Sequence, residues 1–122
     1  MVGFVGSWRS GQKIFSWLVS ATITSPQSLI QDLVSDLEVE DQEWNLLIMA
    51  KEWMAEIQGD WSLMEIPLID GVAYHAIGGG SGPALGSLFA DHSGEESVHQ
   101  SLLASEAFYP LVRPPMRVTR LQ

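Results

Sequence analysis

Three consecutive glycines, Gly78-Gly79-Gly80, interrupt the chain within YHAIGGGSGPALGSLF. A regular helix or strand does not run through such a triplet. Glycine loses the most backbone freedom on ordering and brings no side chain to pack. The flanking residues therefore belong to separate elements. Upstream, 72–77 are mostly apolar and read as a strand. Downstream, Pro83 has the preset φ that suits a helix opening, and Ala84, Leu85, Leu88 and Phe89 form its apolar face. The fold must contain a strand–loop–helix unit, and the question is what the loop holds.

A loop of this kind can cradle phosphate, because free N–H groups and the helix dipole point into it. The residues here do not fit that role. A phosphate-binding loop places Lys and Ser or Thr after its glycines, and residues 74–89 contain no Lys. The spacing Gly80-x-Gly82-x-x-x-Gly86 also lacks a repeated strand–helix–strand setting and a ribose-binding acid on a following strand. The better reading is that these glycines permit positive φ and close approach between packed layers.

Composition narrows the classes further. The 122 residues suit one domain, here 1–122, and 46% are apolar, enough for a packed core. Six Lys and Arg stand against fifteen Asp and Glu, for a formal charge of −9. Such a chain repels a nucleic-acid backbone. Asp32, Asp36, Glu38, Glu40, Asp41 and Glu43 crowd one short segment, which reads as a solvated connection. The absence of Cys excludes disulfides and thiol chemistry and fits a reducing compartment. The start MVGFVGSWRSGQ lacks the layout of a signal peptide, and no window is apolar for long enough to span a bilayer. The expectation is a soluble, cytoplasmic protein without a membrane partner.

Along the chain, residues 1–5 suit a buried strand. A helix over 7–21 follows, capped by Ser7, with Trp8, Gly11, Phe15 and Leu18 at helical spacing. Ser25-Pro26 starts a second helix, whose stripe is Leu29, Ile30, Leu33, Val34 and Leu37, ending near Glu38. The run WNLLIMAKEWMAEI reads equally as a buried helix or as two apolar segments broken at Lys51-Glu52. Gln58-Gly59-Asp60 is a turn, and SLMEIPLI is extended, with Pro67 at an edge or strand end. Asp70-Gly71 suits a tight turn. Ser93 and Glu96 are spaced as a capping box for a helix that buries Val98, Leu102, Leu103 and Ala107. Pro110, Pro114 and Pro115 end helix, and MRVTRL alternates as a final strand.

Residues that carry chemistry are few. His92 and His99 flank the start of the last helix, near Asp91 and Glu95, where surface histidines and a helix cap explain them without a metal. His75 reads as a packed strand residue. Glu95-Glu96 offsets the helix dipole. No serine has an identifiable base beside it. The sequence assigns no catalytic residue, no cofactor site and no metal site.

AIGGGSGPALGSLFA resembles a segment of the bacterial proteasome-like threonine peptidases and the proteasome β subunits, where a strand enters an Ala-Ile-Gly-Ser-Gly turn followed by an Ala/Leu-rich helix. VGFVGSWRSGQKIFSWL is similar to that family's apolar strand, Gly-x-x-Gly and long helix. The helix over 95–108, a proline-containing turn and MRVTRL are similar to its last helix and strand. The order is the same, and the resemblance covers most of the chain. It implies an α+β sandwich of stacked antiparallel sheets between helix layers, and self-association. With that fold, 44–51 and 54–58 become a hairpin, which also gives a partner to the strand over 62–66.

The same resemblance implies what to look for in the chemistry. The family's nucleophile is an N-terminal Thr, Ser or Cys whose α-amino group acts as base, with an early Asp and Lys. This sequence aligns from a later strand, so these are expected to lie outside it. The family's loop Ser falls on Gly79, and Ser81 is the nearest hydroxyl. A late Asp would fall at 107–110, where there is no acid. The loop Gly78, Gly79, Gly80 and Ser81 is then a vestige.

Three functions follow. The first is a non-catalytic structural or assembly subunit that binds itself or a second protein chain, in a ring or a virus-like particle. The second is one part of a split N-terminal-nucleophile peptidase. The third is an acidic inhibitor or immunity-type binder acting through residues 32–43.

Overall fold

The computed structural model describes residues 1–68 and 72–109. The order of elements is β1 (Val2–Val5), α1 (Trp8–Ser20), α2 (Pro26–Asp36), β2 (Asn45–Met49), β3 (Met54–Gln58), β4 (Leu63–Glu65), α3 (Ser81–Ala90) and α4 (Glu95–Phe108). The chain divides into two compact units, Met1–Pro67 and Leu68–Gln122.

The first unit is an antiparallel sheet of order β1-β2-β3-β4. The ambiguous run is the hairpin, with Met49 paired to Met54 and Asn45 to Gln58. Alternation along the strands sends Leu46, Ile48 and Ile57 to one face. There they meet Ile14 of α1 and Leu29 and Leu33 of α2 in a core that also holds Trp44. Glu56 points to the other face, buried, with Asn45 Nδ2 donating to its Oε1 at 2.8 Å. The second face thus carries a polar pair, as an amphipathic pattern would, but with Glu56 buried.

The helix starts follow the expected chemistry. Ser7 Oγ accepts from Ser10 N at 3.2 Å, and Ser25 and Ser28 form a reciprocal capping box that spans Pro26. Gly6 turns the chain from β1 into α1 at φ +146, where a Cβ would come within 2.6 Å of Trp44 Cβ. Only glycine fits both the dihedral and the space. Trp44 Nε1 donates to Asp41 O at 2.8 Å and the ring is flanked by Phe4 and Trp61.

Some expectations are corrected. α1 is rotated about its axis relative to the predicted stripe. Ser10, Gly11 and Ile14 face inward, while Trp8 is exposed. The small Gly11 accepts the ring of Phe4 against the helix, 3.0 Å from where its Cβ would be. Val34 of the α2 stripe is exposed. In the second unit the strand expected over 72–77 is reduced to a bridge at Val72, with 73–77 irregular. The Tyr74 ring there stacks on His92. The Asp70-Gly71 turn and the final strand in MRVTRL lie outside the described residues.

Candidate functional site

The glycine loop and the two helices that follow it form the second unit's most constrained region. Gly78 has φ +99, the left-handed region that suits glycine. Ser81 N donates back to Gly78 O at 3.1 Å, and Ala84 N donates to Gly80 O at 3.2 Å. α3 starts at Ser81 with Gly80 as its N-cap and no side-chain cap. Pro83 is thus the third residue of the helix, and Ala84 and Leu88 are its buried face. Phe89, expected on that face, is exposed.

α4 meets this loop through small hydroxyl residues. Its buried positions are Ser97, Ser101 and Ser105, one every four residues. Val98, Leu103 and Ala107, expected to be buried, are exposed, and Leu102 is half-buried. The serines are small enough to let a neighbour approach closely, and each hydroxyl finds a carbonyl. Ser97 Oγ donates to Gly94 O, Ser101 Oγ to Val98 O at 2.6 Å, and Ser105 Oγ to Gly80 O at 2.7 Å and Ser101 O at 3.1 Å. The bonds offset the cost of taking these hydroxyls out of water. The Ser105 bond ties α4 to the glycine loop itself.

Tyr109, at the C-cap of α4, closes the loop from the same side. A Cβ on Gly79 would overlap the Tyr109 ring and hydroxyl. The phenol ring takes the space on the Cβ side of Gly79, which is otherwise exposed. Two loop N–H groups, those of Ser81 and Ala84, are spent on loop carbonyls, and Pro83 has none. This geometry suits a packing joint between α3 and α4.

The α3–α4 turn carries the other polar cluster. His92 Nδ1 lies 2.9 Å from Leu88 O, at the C-terminal end of α3, and the ring stacks on Tyr74 with centroids 4.7 Å apart. Asp91 Oδ1 accepts from the Ser93 hydroxyl at 2.7 Å and from Ser93 N at 3.1 Å. These bonds, hydroxyl first, with a smaller effect from nearby His92, hold the Asp91 carboxyl below its usual 3.8. Ser93 is therefore engaged upstream and does not cap α4. Gly94 is the N-cap, and its N–H donates to Ser97 Oγ at 3.2 Å. Glu95 and Glu96 occupy the first turn, where the helix dipole favours them. His99 is exposed and His75 half-buried. Among the described residues, no three His, Asp or Glu side chains come together as a metal site.

Of the sequence-derived site residues, Gly78, Gly79, Gly80 and Ser81 do form one loop. The two groups that close it, Ser105 and Tyr109, carry no motif that marks them in the sequence. The signal available was the four-residue spacing of Ser97, Ser101 and Ser105, ending on an aromatic.

No family model matches this sequence, and no curated protein matches it. Solved structures do match. The BPH protein of Thiobacillus denitrificans in complex with epoxomicin superposes with a TM-score of 0.66 at 18% identity, over 93% of this chain and 70% of that one. The same protein in a second structure gives 0.64, also at 18% identity and the same coverage. Eukaryotic HslV from Trypanosoma brucei gives 0.64 at 18% identity, over 92% of this chain and 70% of its own. The fold is therefore the α+β fold of the proteasome and HslV-type N-terminal-nucleophile hydrolases. Among the described residues no helix is long and apolar enough to cross a membrane.

Proposed function

We propose that this chain is a non-catalytic structural or assembly subunit with a proteasome-like fold, and that it associates with further copies of itself. The observation that carries the reading is the glycine loop. Gly79 stands where the family resemblance calls for Ser, and Tyr109 packs onto it. A loop packed on one side by Tyr109 and pinned by Ser105 supports a vestigial, structural role for Gly78, Gly79, Gly80 and Ser81. Large apolar side chains on the surface of α1 support the self-association, since patches of that kind mark contact surfaces. On this reading residues 1–122 act as one domain, because each structural neighbour matches along more than nine-tenths of the chain. The setting proposed is cytoplasmic or within a virus-like assembly, consistent with a chain that has no Cys.

A second reading is favoured by one specific observation, the epoxomicin complex of a structural neighbour. In it this chain is one part of a peptidase whose nucleophile comes from elsewhere. Intact-mass analysis after incubation with epoxomicin separates the two. The first reading predicts no adduct on any chain that co-purifies. An adduct on a co-purifying partner would favour the split peptidase, and an adduct on this chain would contradict a non-catalytic role.

A further inference from the structure

The two edges of the first unit's sheet differ. β4 is three residues long, ends on the exposed Glu65 and has Pro67 just beyond it. Short length, charge and proline are means by which proteins keep an edge from pairing. β1 carries no such block. Residues 1–5 hold no charged side chain and no Pro, and Val2 and Val5 are exposed. Met1 and Met49 exchange both backbone bonds, at 2.8 Å each. Alternation along the antiparallel pair then aims the N–H and C=O groups of Gly3 and Val5 at β2, and those of Val2 and Phe4 away from it. Among the described residues no strand lies on that side.

α1 roofs the space beside this edge. Gly11 sits against the Phe4 ring, and Phe15 meets that ring edge-on with centroids 5.9 Å apart. The helix thus stands over the edge strand, while α2 packs on β3 and β4. Phe15, Trp8 and Val19 lie about 100–140° around α1 from the core residue Ile14. Lys13 and Trp17 lie on the opposite flank, where they meet Glu38 and Asp36. The apolar flank therefore faces away from α2, beyond β1. It is uncovered, with Trp8 80% exposed, Val19 89% and Phe15 40%. Free backbone donors and acceptors on one side and apolar side chains above them make one groove.

That groove specifies its occupant. The outward N–H and C=O groups are complementary to an extended backbone. A strand added there lies about 4.8 Å from β1, and every second side chain turns up under the α1 flank. A second copy can meet the outer surface of α1 but does not fit edge to edge on β1. Its own α1 would stand over the neighbouring strand, and packed helix axes need about 8–10 Å. Residues 1–31 contain no Asp or Glu although the chain has fifteen, so the groove does not share the repulsion of the rest.

We infer that the groove between β1 and the α1 flank binds an extended peptide of another protein, apolar at every second position, as a further strand of the sheet. β1 offers four residues of edge, so binding is reversible and the chain purifies without the peptide. The inference goes beyond the self-association reading, which a native mass decides and peptide binding does not.

Fluorescence anisotropy tests it. The full chain is titrated into a labelled peptide of alternating Val and Thr, closed by Lys at both ends for solubility. Two control peptides leave the protein untouched. One has the same composition with Val and Thr in separate blocks, and the other is N-methylated at its central amides, which blocks the ladder. Val2→Pro removes an outward N–H and no bond to β2. Val19→Asp sets a charge on the apolar flank. Each variant, with folding verified by far-UV circular dichroism, is expected to weaken binding by about tenfold or more, and both control peptides are expected to lose it. If Val2→Pro does not fold, Val19→Asp and the two control peptides carry the test. Equal affinity for the block or N-methylated peptide overturns the inference, as does binding indifferent to either folded variant. No binding of the alternating peptide at millimolar concentration overturns it as well. If, in that case, Val2→Pro also abolishes self-association, the edge belongs to a second copy.

Discussion

The ring of Tyr109 stands against Gly79 where a side chain would project, so that a Cβ at Gly79 would occupy the same space as the phenol. The glycine at the centre of the loop is thus matched to one aromatic at the end of α4.

Gly79→Ala is expected to displace the Tyr109 ring, at a cost of about 1–3 kcal/mol. Tyr109→Ala should cost a similar amount. In the double variant the two losses should fall short of their sum, because both remove the same contact. Urea denaturation of the four proteins gives the coupling, and strict additivity would mean that Tyr109 does not close the loop.

Ser105→Ala removes a buried donor from Gly80 O and Ser101 O. Gly80 O keeps the bond from Ala84 N, so the loss should be modest, about 1 kcal/mol. Amide hydrogen exchange is expected to rise locally at the start of α3, and unchanged protection there would show that the hydroxyl does not anchor the loop.

Gly6→Ala meets both a φ of +146 and the Trp44 Cβ at 2.6 Å. Strain and overlap act together, so a loss of about 3 kcal/mol or more is expected. The measurement is the thermal midpoint, read alongside Gly82→Ala, where a Cβ meets open space.

Asp60 and Asp91 are both held below their usual 3.8 by bonds from the serine two residues on, Ser62 and Ser93. A carboxyl depressed in the folded state adds stability above its unfolded value and loses it as pH falls through the folded one. Their share is therefore present at neutral pH and disappears below about pH 4. Asp91→Asn should flatten the acid limb of thermal midpoint against pH without a comparable change in shape near neutrality. The contribution is small, because both groups are at the surface.

The residues differ in how openly they announced this structure. Ser25-Pro26 stated its helix start in full, since the cap and the preset φ are local chemistry. The hairpin of β2 and β3 was not legible from periodicity. Met54 is buried on the face away from the helices, and Leu47 and Met49 are half-buried there, so apolar residues appear on both strips and imitate a buried helix. The resemblance to the proteasome family decided it. α4 misled for the opposite reason. Its buried side is Ser97, Ser101 and Ser105, and a hydropathy count favours Val98 and Leu103, which are exposed. Close helix approach rewards small size over hydrophobicity. Ser93 shows how a cap can be spaced correctly and already be engaged, here by Asp91. Trp8 looked like core from its spacing and instead stands in solvent on α1, which is what makes it informative about assembly.

Native mass spectrometry of the purified protein, with every chain in each species identified, tests the proposed function most directly. A single defined species at a whole-number multiple of this chain, containing no other polypeptide, is the expected result. A spectrum of lone chains at micromolar concentration would contradict it.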